Sequence, residues 1–179
     1  MMKKKDFEGS DEKKSQLVGE CIETIQDKFK DLIYKHDGCR IIQALIKHGS
    51  SSQKSHVLNN IKEHMVELMQ QKYSKHLAQK AYFYAPTQEL KKEIRNQVNQ
   101  GIGKLIMHNF ASDVVEYIYS MTEHEKSRQE MVFAFYGQYF ILFKDELDHS
   151  DTKQITLKEL LDKKPNLRPK ILDKIEGIV

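Results

Sequence analysis

Apolar residues recur along this chain on two scales. Locally they fall three or four residues apart, the spacing of one helix face, and the whole set then returns after 36 or 37 residues. Ile22, Ile25, Phe29, Leu32 and Ile33 form the first set. Adding 36 gives Leu58, Ile61, Met65, Leu68 and Met69, and adding 37 more gives Arg95, Val98, Ile102, Leu105 and Ile106. Fourteen of these fifteen positions are apolar in a chain that is 39% hydrophobic, which random placement seldom produces. A second helix follows each set, with Ile41, Ile42, Leu45 and Ile46 on one side and Cys39, Arg40, Gln43 and Lys47 on the other. Its apolar side returns as Leu77, Ala78, Ala81 and Tyr82, then as Val114, Val115, Ile118 and Tyr119. A third helix is expected over residues 53–60 and 88–98, after breaker residues, with Ser52 and Thr87 as N-caps. These third helices can merge with the helix that opens the next unit.

A period of this length marks stacked repeats, so the expected fold is an all-α solenoid of the armadillo and HEAT kind, built from three-helix units. The units span about residues 22–57, 58–94, 95–131 and 132–179, after a charged, flexible lead-in over residues 1–18. The third unit is short: the next copy of the second helix arrives after only 26 residues (138 against 112). Residues 123–136 must then close one unit and open the next. Two further amphipathic helices are expected over 155–161 and 167–178, and the stripe Ile171, Ile175 and Ile178 lacks an obvious partner. The chain therefore reads as part of a longer array.

Charge adds a direction. The net charge is only +3, but residues 38–100 carry ten Lys and Arg against four Asp and Glu, while residues 101–179 are at −2. Clustered positive charge attracts phosphate over about a Debye length, ~8 Å. Cys21 and Cys39 have neither CxxC nor His spacing, which argues against a zinc site or a disulfide framework and for a reducing compartment. Neither a membrane span nor a signal peptide is legible, so an intracellular, soluble protein without membrane contact is expected. The eight histidines lack ligand spacing, and Gly101-Ile102-Gly103-Lys104 lacks the third glycine of a phosphate loop. With no nucleophile and base in evidence, neither an enzyme, a cofactor nor a small-molecule substrate is expected. Among the aromatic residues, Tyr73, Tyr82, Tyr84, Tyr117 and Tyr119 fall at packing positions by helical phase, and Phe83 falls on the polar side near Gln79.

The stretch Asp37-Gly38-Cys39-Arg40-Ile41-Ile42-Gln43 resembles the base-reading helix of a Pumilio (PUF) repeat. That resemblance implies that Cys39 and Gln43 touch the edge of one RNA base, adenine for this pair, while Arg40 stacks between neighbouring bases. One-turn spacing does set residues 39 and 43 side by side, and a planar guanidinium stacks on bases. Lys75, His76 and Gln79 hold the same positions in the second unit, where Lys75 suits a phosphate and His76 can stack. Ser112 and Glu116 resemble a guanine reader, yet Asp113 stands at the stacking position and opposes phosphate. The fourth unit offers Gln138, Tyr139 and Leu142. The candidate nucleic-acid contacts are Cys39, Arg40, Gln43, Lys47, Lys72, Lys75, His76 and Gln79.

Lys72-Tyr73-Ser74-Lys75, Val114-Val115-Glu116-Tyr117 and Phe135-Tyr136-Gly137, with the shortened third unit, are similar to the Puf-A subfamily. This implies a nucleolar protein that binds structured RNA or DNA through basic surfaces with little base code, among ribosome-assembly proteins. Two other readings are a sequence-specific messenger RNA regulator in the cytoplasm and a helical-repeat scaffold for protein partners.

Overall fold

The computed structural model describes residues 8–136 and 157–177, and every regular element among them is helical. Two kinds of helical stretch alternate. Helix α1 (Glu8–Ile25) passes through a 3-10 turn at Gln26–Lys28 into α2 (Phe29–Leu32), and α3 (His36–His48) follows. The pattern repeats as α4 (Ser51–Ile61), a 3-10 turn at Lys62–His64, α5 (Met65–Met69) and α6 (Lys75–Tyr84). In the third unit the closing and opening helices fuse, with no 3-10 turn between them, into α7 (Gln88–Leu105), before α8 (Ala111–Met121). Then come α9 (Glu125–Tyr136), α10 (Leu157–Lys163), a 3-10 turn at Pro165–Leu167, and α11 (Arg168–Glu176).

The apolar columns meet in one core that runs from Val18 to Met131. Ile33, Ile42, Ile46, Leu58, Ile61, Met65, Leu68 and Met69 are fully buried, as are Leu77, Ile94 and Leu105. Burial of such side chains contributes about 25 cal/mol per Å² of apolar surface, so stacking between neighbouring units holds the array together. Arg95, the one polar member of the columns, is also buried, at 7% exposure. Its Nη1 donates to Tyr82 Oη at 3.0 Å and its Nη2 lies 3.4 Å from Ser127 Oγ. Tyr82 Oη shares a 2.7 Å hydrogen bond with Thr122 Oγ1, which lies 2.7 Å from the Ile118 carbonyl. The guanidinium thereby ties α6, α7, α8 and the start of α9 together.

Several expectations shift. Residues 8–18, expected in a flexible lead-in, are helical: Val18 docks on the core, and Gln53 Nε2 donates to the Ser15 carbonyl at 2.8 Å. The segment has few apolar residues, but Glu, Lys and Gln are good helix formers and one docking residue suffices. Ser50 rather than Ser52 caps α4, because Gln53 stands three residues on and closes a capping box with it. Thr87 caps α7 through the Leu90 amide, as expected. Ile41, Ile106, Tyr73 and Tyr119, placed at packing positions by phase, are 45%, 39%, 53% and 41% exposed. Conversely Cys39 and Gln43, placed on the polar side, are 2% and 7% exposed. Helix α3 is covered on two sides, by α1, α2 and α4 and by α6, so its buried arc is wider than its apolar stripe.

Helix α9 packs along α7 and follows α8 after only three residues, which is how the shortened unit closes. Its Phe133 and Tyr136 meet Leu157, Leu161, Leu167, Ile171 and Ile175 in a second apolar cluster. Ile171 and Ile175, expected to lack a partner, thus have one. The reading trio expected at Gln138, Tyr139 and Leu142 lies outside the described residues.

Candidate nucleic-acid interface

Helix α3 starts hard against the end of α2. A Cβ on Gly38 would stand 2.2 Å from the Leu32 carbonyl oxygen, so only glycine lets the helix begin this close. From there α3 runs beside α6, and the two helices line an open groove of ≈ 490 Å³. His36, Cys39, Arg40 and Gln43 line one side. Tyr73, His76, Gln79, Lys80, Phe83 and Tyr84 line the other, and Tyr117 of α8 contributes as well. No carboxylate is among these lining residues.

The expected contacts divide. Arg40 is exposed at the groove, as is His76, whose Nδ1 lies 3.3 Å from Gln79 Oε1. Cys39 is at the buried floor: its Sγ donates to the Ile33 carbonyl at 2.8 Å and lies 3.5 Å from Ser74 Oγ. The thiol is therefore engaged with backbone rather than turned to a base edge. Gln43 is half of a side-chain pair, its Oε1 accepting from Lys80 Nζ at 2.9 Å. Lys75, expected to meet phosphate, instead holds Asp113 Oδ2 at 2.6 Å across α6 and α8, with its Nζ 5.5 Å from the Phe110 ring centre. That ion pair also gives Asp113 a structural role. Lys47 and Lys72 are exposed but do not line the groove; Lys72 Nζ lies 5.5 Å from the Tyr73 ring centre.

Sequence reasoning did not pick out Lys80, Tyr84, Tyr117, His36 or Tyr73 as site residues. His36 and Tyr73 meet edge to face at 5.0 Å, as Phe83 and Tyr84 do at 4.8 Å. Lys54 Nζ stands 5.6 Å from the Tyr84 ring centre. Burial raises the Tyr117 pKa, with Tyr84 adding to the effect. The signal available in the sequence was proximity to the second reading trio: Lys80 directly follows Gln79, the counterpart of Gln43, and Phe83 lies one turn beyond it.

A second groove of ≈ 450 Å³ contains the third reading trio. Ser112, Asp113, Val115, Glu116 and Tyr119 of α8 face Ile102 and Ile106 near the end of α7, and Met131, Val132 and Phe135 of α9. It is mostly apolar, with two carboxylates and no Lys or Arg among its lining residues.

No protein-family model matches the chain. Pumilio homolog 3 of Rattus norvegicus is 30% identical over 168 residues, covering 94% of this chain and 25% of that protein. The crystal structure of human Puf-A superposes with a TM-score of 0.74 at 26% identity, covering 91% of this chain and 30% of that one. Over most of its length the chain is similar to Pumilio repeat proteins, Puf-A among them. A structure of human Puf-A in complex with DNA matches this array equally well, with a TM-score of 0.74 over 91% of the chain. A Puf4 mutant bound to a Cox17 RNA 3′ UTR recognition sequence shares the Pumilio solenoid at a TM-score of 0.63, with 16% identity. The chain spans about a quarter of the length of the curated Pumilio relatives it matches.

Proposed function

We propose that this array binds RNA, or structured DNA, along the groove between α3 and α6, through charge and stacking more than through a base code. The observation that carries this is the lining of that groove: Arg40, Lys80 and His76 among Tyr73, Phe83, Tyr84 and Tyr117, without a carboxylate. Cations draw the backbone and aromatic faces accept bases of any identity. The DNA complex of human Puf-A supports the choice of ligand class. The edge-reading pair is weak, with Cys39 bonded inward and Gln43 bonded to Lys80, which favours low sequence preference.

Titration of the chain with single-stranded and hairpin RNA at rising salt tests this. Affinity should fall with a log-log slope of about −0.7 for each phosphate met on a single strand. Binding that ignores salt, or a strong preference in a base-randomised selection, would overturn it. A nucleolar setting with ribosome-assembly proteins extends the same reading from the subfamily resemblance, and a tagged chain excluded from the nucleolus would count against that extension. The scaffold reading has one observation in its favour, the apolar second groove.

A further inference from the structure

The code positions account for little of what the first groove leaves open. Cys39, Gln43 and Lys75 are each engaged within the protein, by the Ile33 carbonyl, by Lys80 and by Asp113. One turn farther along α6, Phe83 presents a ring without a polar atom to the groove and is 48% exposed. Its ring is steadied from the side: Tyr84 meets it edge to face at 4.8 Å and 87°, and Tyr84 in turn has Lys54 Nζ 5.6 Å from its ring centre. A ring held in this way is a stacking platform that needs little ordering when a ligand arrives. Cations flank it and no carboxylate lines the groove, so the ligand that fits is flat, aromatic and joined to negative charge. A nucleotide has all three properties.

Resting on the nucleic-acid reading above, we infer that Phe83 forms the stacking wall of a pocket for one unstacked base, bulged or looped out of a structured nucleic acid. The base lies in the groove on the Phe83 face, and Arg40, exposed on the opposite wall, meets the adjoining phosphate. A base that stays in a continuous stack along the code row passes Arg40 and His76 and does not reach one turn beyond Gln79. A base that leaves its stack does, and unpaired bases in loops and bulges are the ones that can be splayed out onto aromatic side chains.

The test uses the full chain and three RNA hairpins: fully paired, with a single-nucleotide bulge carrying 2-aminopurine, and with an abasic residue at that bulge. The bulged hairpin is expected to bind about tenfold more tightly than the abasic one, the scale of one base-aromatic stack. Its 2-aminopurine emission should be quenched on binding. Phe83→Leu, which keeps an apolar residue on α6, should bring the bulged hairpin to the affinity of the abasic one and leave the salt slope unchanged, whereas Phe83→Tyr should keep the difference. Equal binding of bulged and abasic hairpins by the unaltered chain, or equal losses on both in Phe83→Leu, overturns the pocket while leaving salt-dependent binding intact. Absence of salt-dependent binding to all three hairpins overturns the nucleic-acid reading and the pocket with it.

Discussion

The two grooves on this array are close in size, ≈ 490 and ≈ 450 Å³, and each takes in side chains from the polar row of a Pumilio-type helix. Their linings are opposite in character. The first lies between two such helices, α3 and α6, and is lined by cations, amides and aromatic rings. The second is bounded by α8 and by α9, the helix that opens a unit, and is lined by Ile106, Val132 and Phe135 with Asp113 and Glu116 beside them. Only three residues separate α8 from α9, so no separate closing helix lies between them, and α9 brings Met131, Val132 and Phe135 beside the polar row of α8.

The strongest way to disturb both grooves at once is Arg95→Ala. The guanidinium bonds Tyr82 on α6, behind the first groove, and Ser127 on α9, which walls the second. Its loss leaves a cavity and buried hydroxyls short of a partner, and should lower unfolding stability by about 2–3 kcal/mol in urea titration. A variant as stable as the parent would show that the hub does not couple the units. Next in size, Arg40→Glu combined with Lys80→Glu should weaken RNA binding by about tenfold or more at low salt, whereas Glu116→Gln should change it by less than about twofold. Equal effects in a filter-binding assay would erase the contrast between the grooves.

Asp113→Asn probes the ion pair that stands between them. Releasing Lys75 frees one cation on α6, next in sequence to the groove residue His76, so affinity should rise about two- to threefold and the salt slope should steepen by about 0.7. The smallest effect is expected where neither groove is touched. Tyr34 Oη donates to Glu67, with His64 Nδ1 3.1 Å from the same hydroxyl. Burial, then the Glu67 contact, pushes the Tyr34 pKa up to about 12, and the Tyr34 hydrogen bond lowers that of Glu67. A depressed carboxylate stabilises the fold above its unfolded pKa of about 4.3 and loses that contribution as pH falls through its folded value. A raised phenol stabilises below about 10 and loses its share as pH climbs toward 12. The stability gap between the parent and Tyr34→Phe should therefore be flat near neutral pH and shrink at both extremes, with RNA affinity at pH 7 unchanged. A gap that persists at pH 2 would refute the assignment.

The columns were legible because a repeating apolar face is itself the physical cause of stacking. Leu58, Met65 and Leu77 are buried for the reason their spacing predicts. The site was less legible because a helix inside a solenoid is flanked on both sides. Phase assigned Gln43 and Ile41 to the wrong exposures, since a one-sided amphipathic pattern cannot tell where the second neighbour lies. The Lys75 to Asp113 pair joins residues 38 apart in the chain, one repeat plus one residue, and only the packed array brings them together. Phe83 was legible in part: its phase put it on the polar side, and what was lacking was the knowledge that Tyr84 and Lys54 hold it there. The first part of α1, residues 8–18, was hidden for another reason, since one docked valine gives no periodic signal.

Gly38 offers nothing to a ligand, yet it sets the mechanical tolerance of the first groove. It is the pivot of α3, a rod of thirteen residues and so ~20 Å long, seated against the Leu32 carbonyl with no clearance for a methyl group. A wedge there lifts one end of the rod, and the tilt is carried along its length to Arg40, Gln43 and Lys47 in turn. The walls of the groove would then part by an amount that grows with distance from the pivot, so the smallest side chain in the molecule governs its aperture.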